Sequence, residues 1–380
     1  MNIALALFAL AVTIGAGYFL VKGHKPVIIL LLAGFILIAV STAAKAGYGV
    51  LDEEDSTGSR WLDIIGIFEQ VAGSQLTGVG LIIMAAGGFS AYMNKIGASQ
   101  ALVEVLAAPI AKFKHPYITL ILTYFLGVVL FMFIPSAAGL AILLLVLLLP
   151  VLKAVGVSPA AAGAVIVSAS ALPMGPASGT SVLSARTIDL SPVVYFVQYQ
   201  LIVAIPTAIA IAITHYFVQQ HYDKRELEEY KETDTMGDGS GEAGPKWYGV
   251  FLALPIILLV IFSPLVNDSI ELTTVGAFVI VWLIALLCEI IRHRSFSTAT
   301  EQATSFFTGM GKMFGGIVAL IIAAQIFATG LTATGAISML IDGGQQLGAG
   351  AIVITLLFTL IVGLVTFLTG SGVGAFSSFA

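Results

Sequence analysis

The chain has 380 residues, 58% of them hydrophobic and only 10% charged, whereas soluble domains carry about 25% charged residues. That balance excludes a protein with a wholly aqueous surface, and the small net charge of -5 gives no support for a nucleic-acid partner. The single cysteine, Cys288, excludes an intrachain disulfide and a paired-thiol redox motif.

In chain order, the first apolar run is Ile3–Val21. No Lys or Arg precedes it, and Lys22, His24 and Lys25 follow, the reverse of a signal peptide. That order puts the N-terminus outside and the far end of the run in the cytoplasm. Further full-length apolar runs cover 27–43, 77–93, 160–185, 192–218, 247–264, 272–291, 314–330 and 349–368. Each is near the ~20 residues of a spanning helix. Three stretches, 61–71, 100–113 and 298–313, carry their charges on one side. They read as interfacial helices or helices packed on the bundle, and a tilted span with a polar face also fits each.

Lysine and arginine placement gives one alternating path. Lys95, Lys112, Lys114, Lys153, Arg292 and Arg294 lie inside, while the acidic loop Lys45–Arg60 and the loop Leu265–Glu271 lie outside. The segment 221–246 begins charged and helical and ends in Met236-Gly237-Asp238-Gly239-Ser240-Gly241, the composition of a cytoplasmic linker.

Two stretches look like copies of one unit. Residues 88–98 and 326–336 align at an offset of 238 positions (Gly88 to Ile326), with Phe89 on Phe327, Gly97 on Gly335 and Ala98 on Ala336. The run at 77–93 goes outside to inside and its copy at 314–330 goes inside to outside, so the duplication is inverted, a transporter signature. The organisation expected is a first repeat over 1–220, a linker over 221–246 and a second, inverted repeat over 247–380. The fold class expected is an all-α polytopic membrane protein with re-entrant hairpins and broken helices.

The stretch 117–152 is apolar but interrupted by Ile134-Pro135-Ser136-Ala137-Ala138-Gly139, with basic residues at both ends. A cytoplasmic re-entrant hairpin is favoured over two full spans because each half is short. The segment 160–185 is broken at Pro173-Met174-Gly175-Pro176-Ala177-Ser178-Gly179-Thr180-Ser181. Non-helical backbone at membrane depth is tolerated only where it is buried in protein or lines a wet cavity. The amides of Gly179, Thr180 and Ser181 would head a half-helix, an end that favours a carboxylate; a purely structural kink is the competing reading. In the second half the stretch matching the first hairpin is Leu368-Thr369-Gly370-Ser371-Gly372-Val373-Gly374, aligned through Gly127-Val128-Val129 with Gly363-Leu364-Val365, and by inversion this hairpin enters from outside.

Lone ionisable residues read as bland. Arg186 is read as a snorkelling interface anchor, and Glu104 and Glu289 as solvated groups near the cytoplasmic boundary. His115, His215, His221 and His293 lie at or near boundaries without metal-ligand spacing. No hydrolase elbow or evident Ser–His pair suggests an enzyme.

At these residues the chain resembles the anaerobic C4-dicarboxylate carriers of the DcuC family. The resemblance runs over nearly the whole chain. It is most specific at Gly88–Ala98, at Ser136–Leu140, at Pro176-Ala177-Ser178-Gly179 with Val182-Leu183, and at Thr369-Gly370-Ser371-Gly372. It implies a multi-pass protein of the bacterial inner membrane that carries C4-dicarboxylates by an elevator-like movement. Carriage of another organic anion is one alternative, and an inactive membrane fragment or an intramembrane enzyme is the other. It further implies a homodimer, no cofactor, coupling to H+ or Na+, and a midplane site of hydroxyls and amides at Ser136, Gly139, Ser178, Gly179, Thr180, Ser181, Thr369, Gly370, Ser371 and Gly372. The chain departs from the family at the first tip, Pro135-Ser136-Ala137-Ala138-Gly139, and at Val373, both less polar than the family pattern. Ala380 falls just past the second tip, whereas the first repeat continues through Gln220 beyond its own. The expectation is that a return arm, broken helix and last span are missing, and that these residues alone do not transport.

Overall fold

The computed structural model describes residues 3–44, 56–134, 137–229, 244–267 and 269–336, with isolated positions between 355 and 363. The described residues are all-α, and seven helices are long and apolar enough to cross a membrane. The protein is a multi-pass membrane protein. In chain order the helices are α1 (Ile3–Val21), α2 (Pro26–Ala43), α3 (Arg60–Gln75), α4 (Leu81–Lys95) and α5 (Ala98–Ala107). Then come α6 (Pro116–Phe133), α7 (Ala137–Ala154), α8 (Pro159–Ser168), α9 (Gly179–Thr187) and α10 (Pro192–Tyr195). The last are α11 (Leu201–Glu229), α12 (Gly249–Ile261), α13 (Thr274–His293), α14 (Phe296–Met313) and α15 (Ala319–Ala333). Local chemistry sets several starts. Proline opens α2, α6, α8 and α10, where its missing N–H costs nothing. The side chains of Ser158, Ser191 and Thr273 accept amides in the first turns of α8, α10 and α13.

Two of the amphipathic stretches are not separate interfacial elements. Helix α3 runs through a π-helical turn, Leu76–Gly80, into α4, and α14 runs through another, Phe314–Val318, into α15. Each polar-sided stretch is therefore the entry to a long span. Glycine explains the π-helical turns. Gly78 holds a non-helical φ of -79° and ψ of -113°, and Gly315 and Gly316 occupy the second turn. The turns lie 238 positions apart (Leu76 to Phe314), the offset of the sequence repeat. Gly97 and Gly335, one repeat apart, both take left-handed φ of 76° and 75°.

The chain divides into two compact units, residues 1–81 with 313–380, and residues 82–312. In the first unit, α2 and α15 cross at glycines. A Cβ added to Gly34 would lie 2.8 Å from the Ile326 backbone, and one added to Gly330 would lie 2.8 Å from Leu37 Cβ and 2.9 Å from the Gly34 carbonyl. Such close crossings replace the hydrophobic drive that lipid does not supply. The hydroxyl of Ser41 donates to the carbonyl of Ala333 at 2.6 Å.

The second unit is built on a core that includes Phe89, Tyr92, Tyr124, Leu130, Leu144, Tyr248 and Phe278. Helices α6 and α7 cover the stretch 117–152 for which a hairpin is expected. Each has 18 residues, about 27 Å, longer than the short halves expected, and α6 meets the length and composition of a span. Pro135 and Ser136 of the tip lie outside the described residues, as do most of the linker and the run at 349–368. Glu289 corrects the sequence reading. Its side chain is 1% exposed, because the Tyr248 hydroxyl, 41 residues earlier in the chain, donates to its carboxylate. Arg292 and His293 hold the same carboxylate at 3.3 and 3.0 Å from the half-exposed side.

Candidate functional site

The broken helix forms as the sequence suggests. Helix α8 ends at Ser168, and the chain leaves it through the bonds Ser170 N–H to Val167 O and Ala171 N–H to Ser168 O. Pro173 and Pro176 supply no amide to continue a helix. Gly175 takes φ of 114°, which a side chain would oppose. Ser178 then sits extended as the N-cap of α9, at φ -74° and ψ 135°.

Within this break the hydroxyls form a local network. Thr180 Oγ1 donates to the Pro173 carbonyl at 3.3 Å, and Ser178 Oγ lies 3.0 Å from Thr180 Oγ1. Ser181 is fully buried and its hydroxyl donates to Gln200 Oε1 at 2.7 Å. Gln200 Oε1 also accepts the Gly175 amide at 3.3 Å, and Nε2 donates to the Pro173 carbonyl at 3.4 Å. One amide side chain thus clamps both rims of the break. Ser178 does not cap α9 with its side chain. The first amides of the helix, Gly179, Thr180 and Ser181, have no intrahelical acceptor by geometry. They form a dipolar end suited to an anion. Gly179 packs beside Ile83 of α4, whose Cγ1 would lie 3.0 Å from an added Cβ.

Ser178, Gly179, Thr180 and Ser181 are therefore brought together in one turn. Gly139 lies in the first turn of α7. Ser136, Thr369, Gly370, Ser371 and Gly372 lie outside the described residues. Arg186 is exposed near the end of α9. Sequence reasoning passed over Gln200. Its signal was there to use, since a glutamine inside an apolar run needs an internal partner in lipid. It also passed over the bond between Ser168 and His215, 47 positions apart.

The chain matches the C4-dicarboxylate anaerobic carrier family, DcuC, over residues 6–380. It is similar to the probable anaerobic C4-dicarboxylate transporter DcuC of Vibrio cholerae serotype O1, with 33% identity over 98% of this chain and 81% of that protein. It is likewise similar to the anaerobic C4-dicarboxylate transporters DcuC of Escherichia coli O6:H1 and of Escherichia coli strain K12, each at 30% identity over 98% of this chain and 80% of the relative. No solved structure matches the chain.

Proposed function

The chain belongs to the C4-dicarboxylate anaerobic carrier family, and from that premise we propose that it is a secondary active carrier of fumarate, succinate and malate across a bacterial inner membrane. The family is one of transporters rather than enzymes. The observation that carries the substrate reading is the open N-terminus of α9. Its first amides stand at a break stiffened by Gln200, and a carboxylate accepts hydrogen bonds from such amides without needing a cationic side chain.

The movement we propose is elevator-like. It is supported by the two glycine-bearing π-helical turns at the points where the chain passes from one compact unit to the other. A homodimer and a second contribution to the site from Thr369–Gly372 complete the proposal. The test is counterflow of labelled succinate and fumarate by the full-length protein in proteoliposomes. Saturable exchange, competed by unlabelled C4-dicarboxylates and not by monocarboxylates, is expected. Absence of saturable exchange refutes the reading.

A further inference from the structure

His215 lies in α11, inside a run long and apolar enough to span a membrane. An ionisable residue there needs a reason to be kept, because lipid offers its charged form no solvation. Its Nε2 lies 2.7 Å from the hydroxyl of Ser168, the last residue of α8. That hydroxyl spends its own proton on the Val165 carbonyl at 2.9 Å. Ser168 must therefore accept, so Nε2 carries the hydrogen and Nδ1 is left as the basic nitrogen. From α6 the titratable group facing the imidazole is Tyr124, with ring centroids 5.8 Å apart. The Tyr124 hydroxyl is buried and has no hydrogen-bond partner among the described residues. From α8 the facing group is Ser168, which does not titrate.

We infer that His215 is a proton-binding residue of the transport cycle, loaded together with the anion. The inference rests on the carrier reading above and names its coupling ion. A proton added at Nδ1 makes an imidazolium that still donates through Nε2 to Ser168, so the α8–α11 contact survives protonation. The charge then stands at the C-terminal, electronegative end of α8 and within cation–π range of Tyr124. Across the same break, the N-terminal end of α9 favours the anion. Proton and dicarboxylate thus occupy opposite-signed ends of one broken helix. Each lowers the net charge that the other would bring into the membrane, and by linkage each raises the affinity for the other. A hydrogen bond that served only to hold two helices together could be made by a side chain that binds no proton, such as an amide.

The experiment uses full-length protein in proteoliposomes carrying an internal pH dye. Two rates are compared: succinate uptake driven by an inward proton gradient, and succinate counterflow at equal pH. His215→Gln can keep the donor to Ser168 but cannot take a proton. The ratio of driven uptake to counterflow should fall at least tenfold, with loss of dye-reported proton entry. His215→Arg fixes the charge, and should show the same fall together with counterflow that no longer varies across about pH 5.5–7.5. A ratio within twofold of the unmodified protein in either variant overturns the assignment, and so does a proportional loss of both rates in both variants. Uptake by the unmodified protein that ignores a proton gradient overturns it too. Unmodified protein that moves no dicarboxylate at all overturns the carrier reading, and the assignment with it.

Discussion

Gln200 offers the sharpest test of how the break is held. Gln200→Leu is similar in size and keeps the apolar contacts of the side chain, but removes both hydrogen-bonding ends. Two donors then lose their acceptor, the hydroxyl of fully buried Ser181 and the amide of buried Gly175. The Pro173 carbonyl keeps Thr180 as a partner. Each orphaned buried donor costs about 1–3 kcal/mol, so the substitution should destabilise the second unit by about 2–6 kcal/mol. Ser181→Ala alone should cost about 1 kcal/mol, because Gln200 keeps the Gly175 amide. The double variant should fall short of the sum by about 1 kcal/mol, since the hydroxyl that Gln200→Leu strands is no longer there. Equilibrium unfolding of purified protein in mixed micelles measures all three, and dicarboxylate affinity should fall in step as the α9 terminus loses its support. Additive effects, each under about 0.5 kcal/mol, would refute the clamp.

Other substitutions probe the remaining features. Gly330→Ala puts a methyl group 2.8 Å from Leu37 Cβ, and the forced separation of α2 and α15 should cost about 1–3 kcal/mol, read as a lower unfolding midpoint. Gly179→Leu drives a side chain against Ile83 at the head of α9. It should abolish dicarboxylate binding, measured by calorimetry, while membrane insertion persists. Glu289→Gln keeps an acceptor for Tyr248 and loses two half-screened partners, so it should cost about 1 kcal/mol. Glu289→Leu strands the Tyr248 hydroxyl as well and should cost a further 1–3 kcal/mol, roughly, in the same unfolding measurement.

Elements whose cause is local were legible in the sequence. The break between α8 and α9 follows from two prolines and a glycine within four positions, and Gly97 and Gly335, aligned in the sequence, share a left-handed φ that few other residues adopt. Apolar length gave most of the spans, as expected where the solvent is lipid, while the runs at 160–185 and 247–264 hold only shorter helices. What escaped depends on contacts between distant segments. Glu289 looks like a solvated terminal residue until Tyr248 arrives from 41 positions away to cover it. Gln200 reads as an ordinary member of its run, and His215 as a residue near the end of a span. Their partners lie 19 and 47 positions away, and only the packing of α11 against α8 brings the second pair together. The amphipathic stretches before 76 and 314 were legible as helices. Their continuation into spans was not, because glycine-rich turns read equally well as breaks.

Rigidity and freedom fall at different glycines, which on the proposed carrier reading separates binding from movement. The break at 169–178 contains Gly175, but its polar groups are tied by Gln200, Thr180 and Ser181 within one compact unit. Gly78 and Gly316 sit instead in π-helical turns next to the two places where the chain changes unit, one repeat apart. A Cβ added to Gly316 meets nothing within 4 Å, so Gly316→Ala perturbs backbone freedom without a clash. Alanine is worth up to about 1 kcal/mol in helix propensity over glycine, enough to stiffen a turn that flexes in the proposed movement. The outcome expected for Gly316→Ala, and more strongly for Gly78→Ala, is slower succinate counterflow with unchanged equilibrium affinity. Lower affinity at an unchanged maximal rate would place these glycines in the binding apparatus and sink the division of roles.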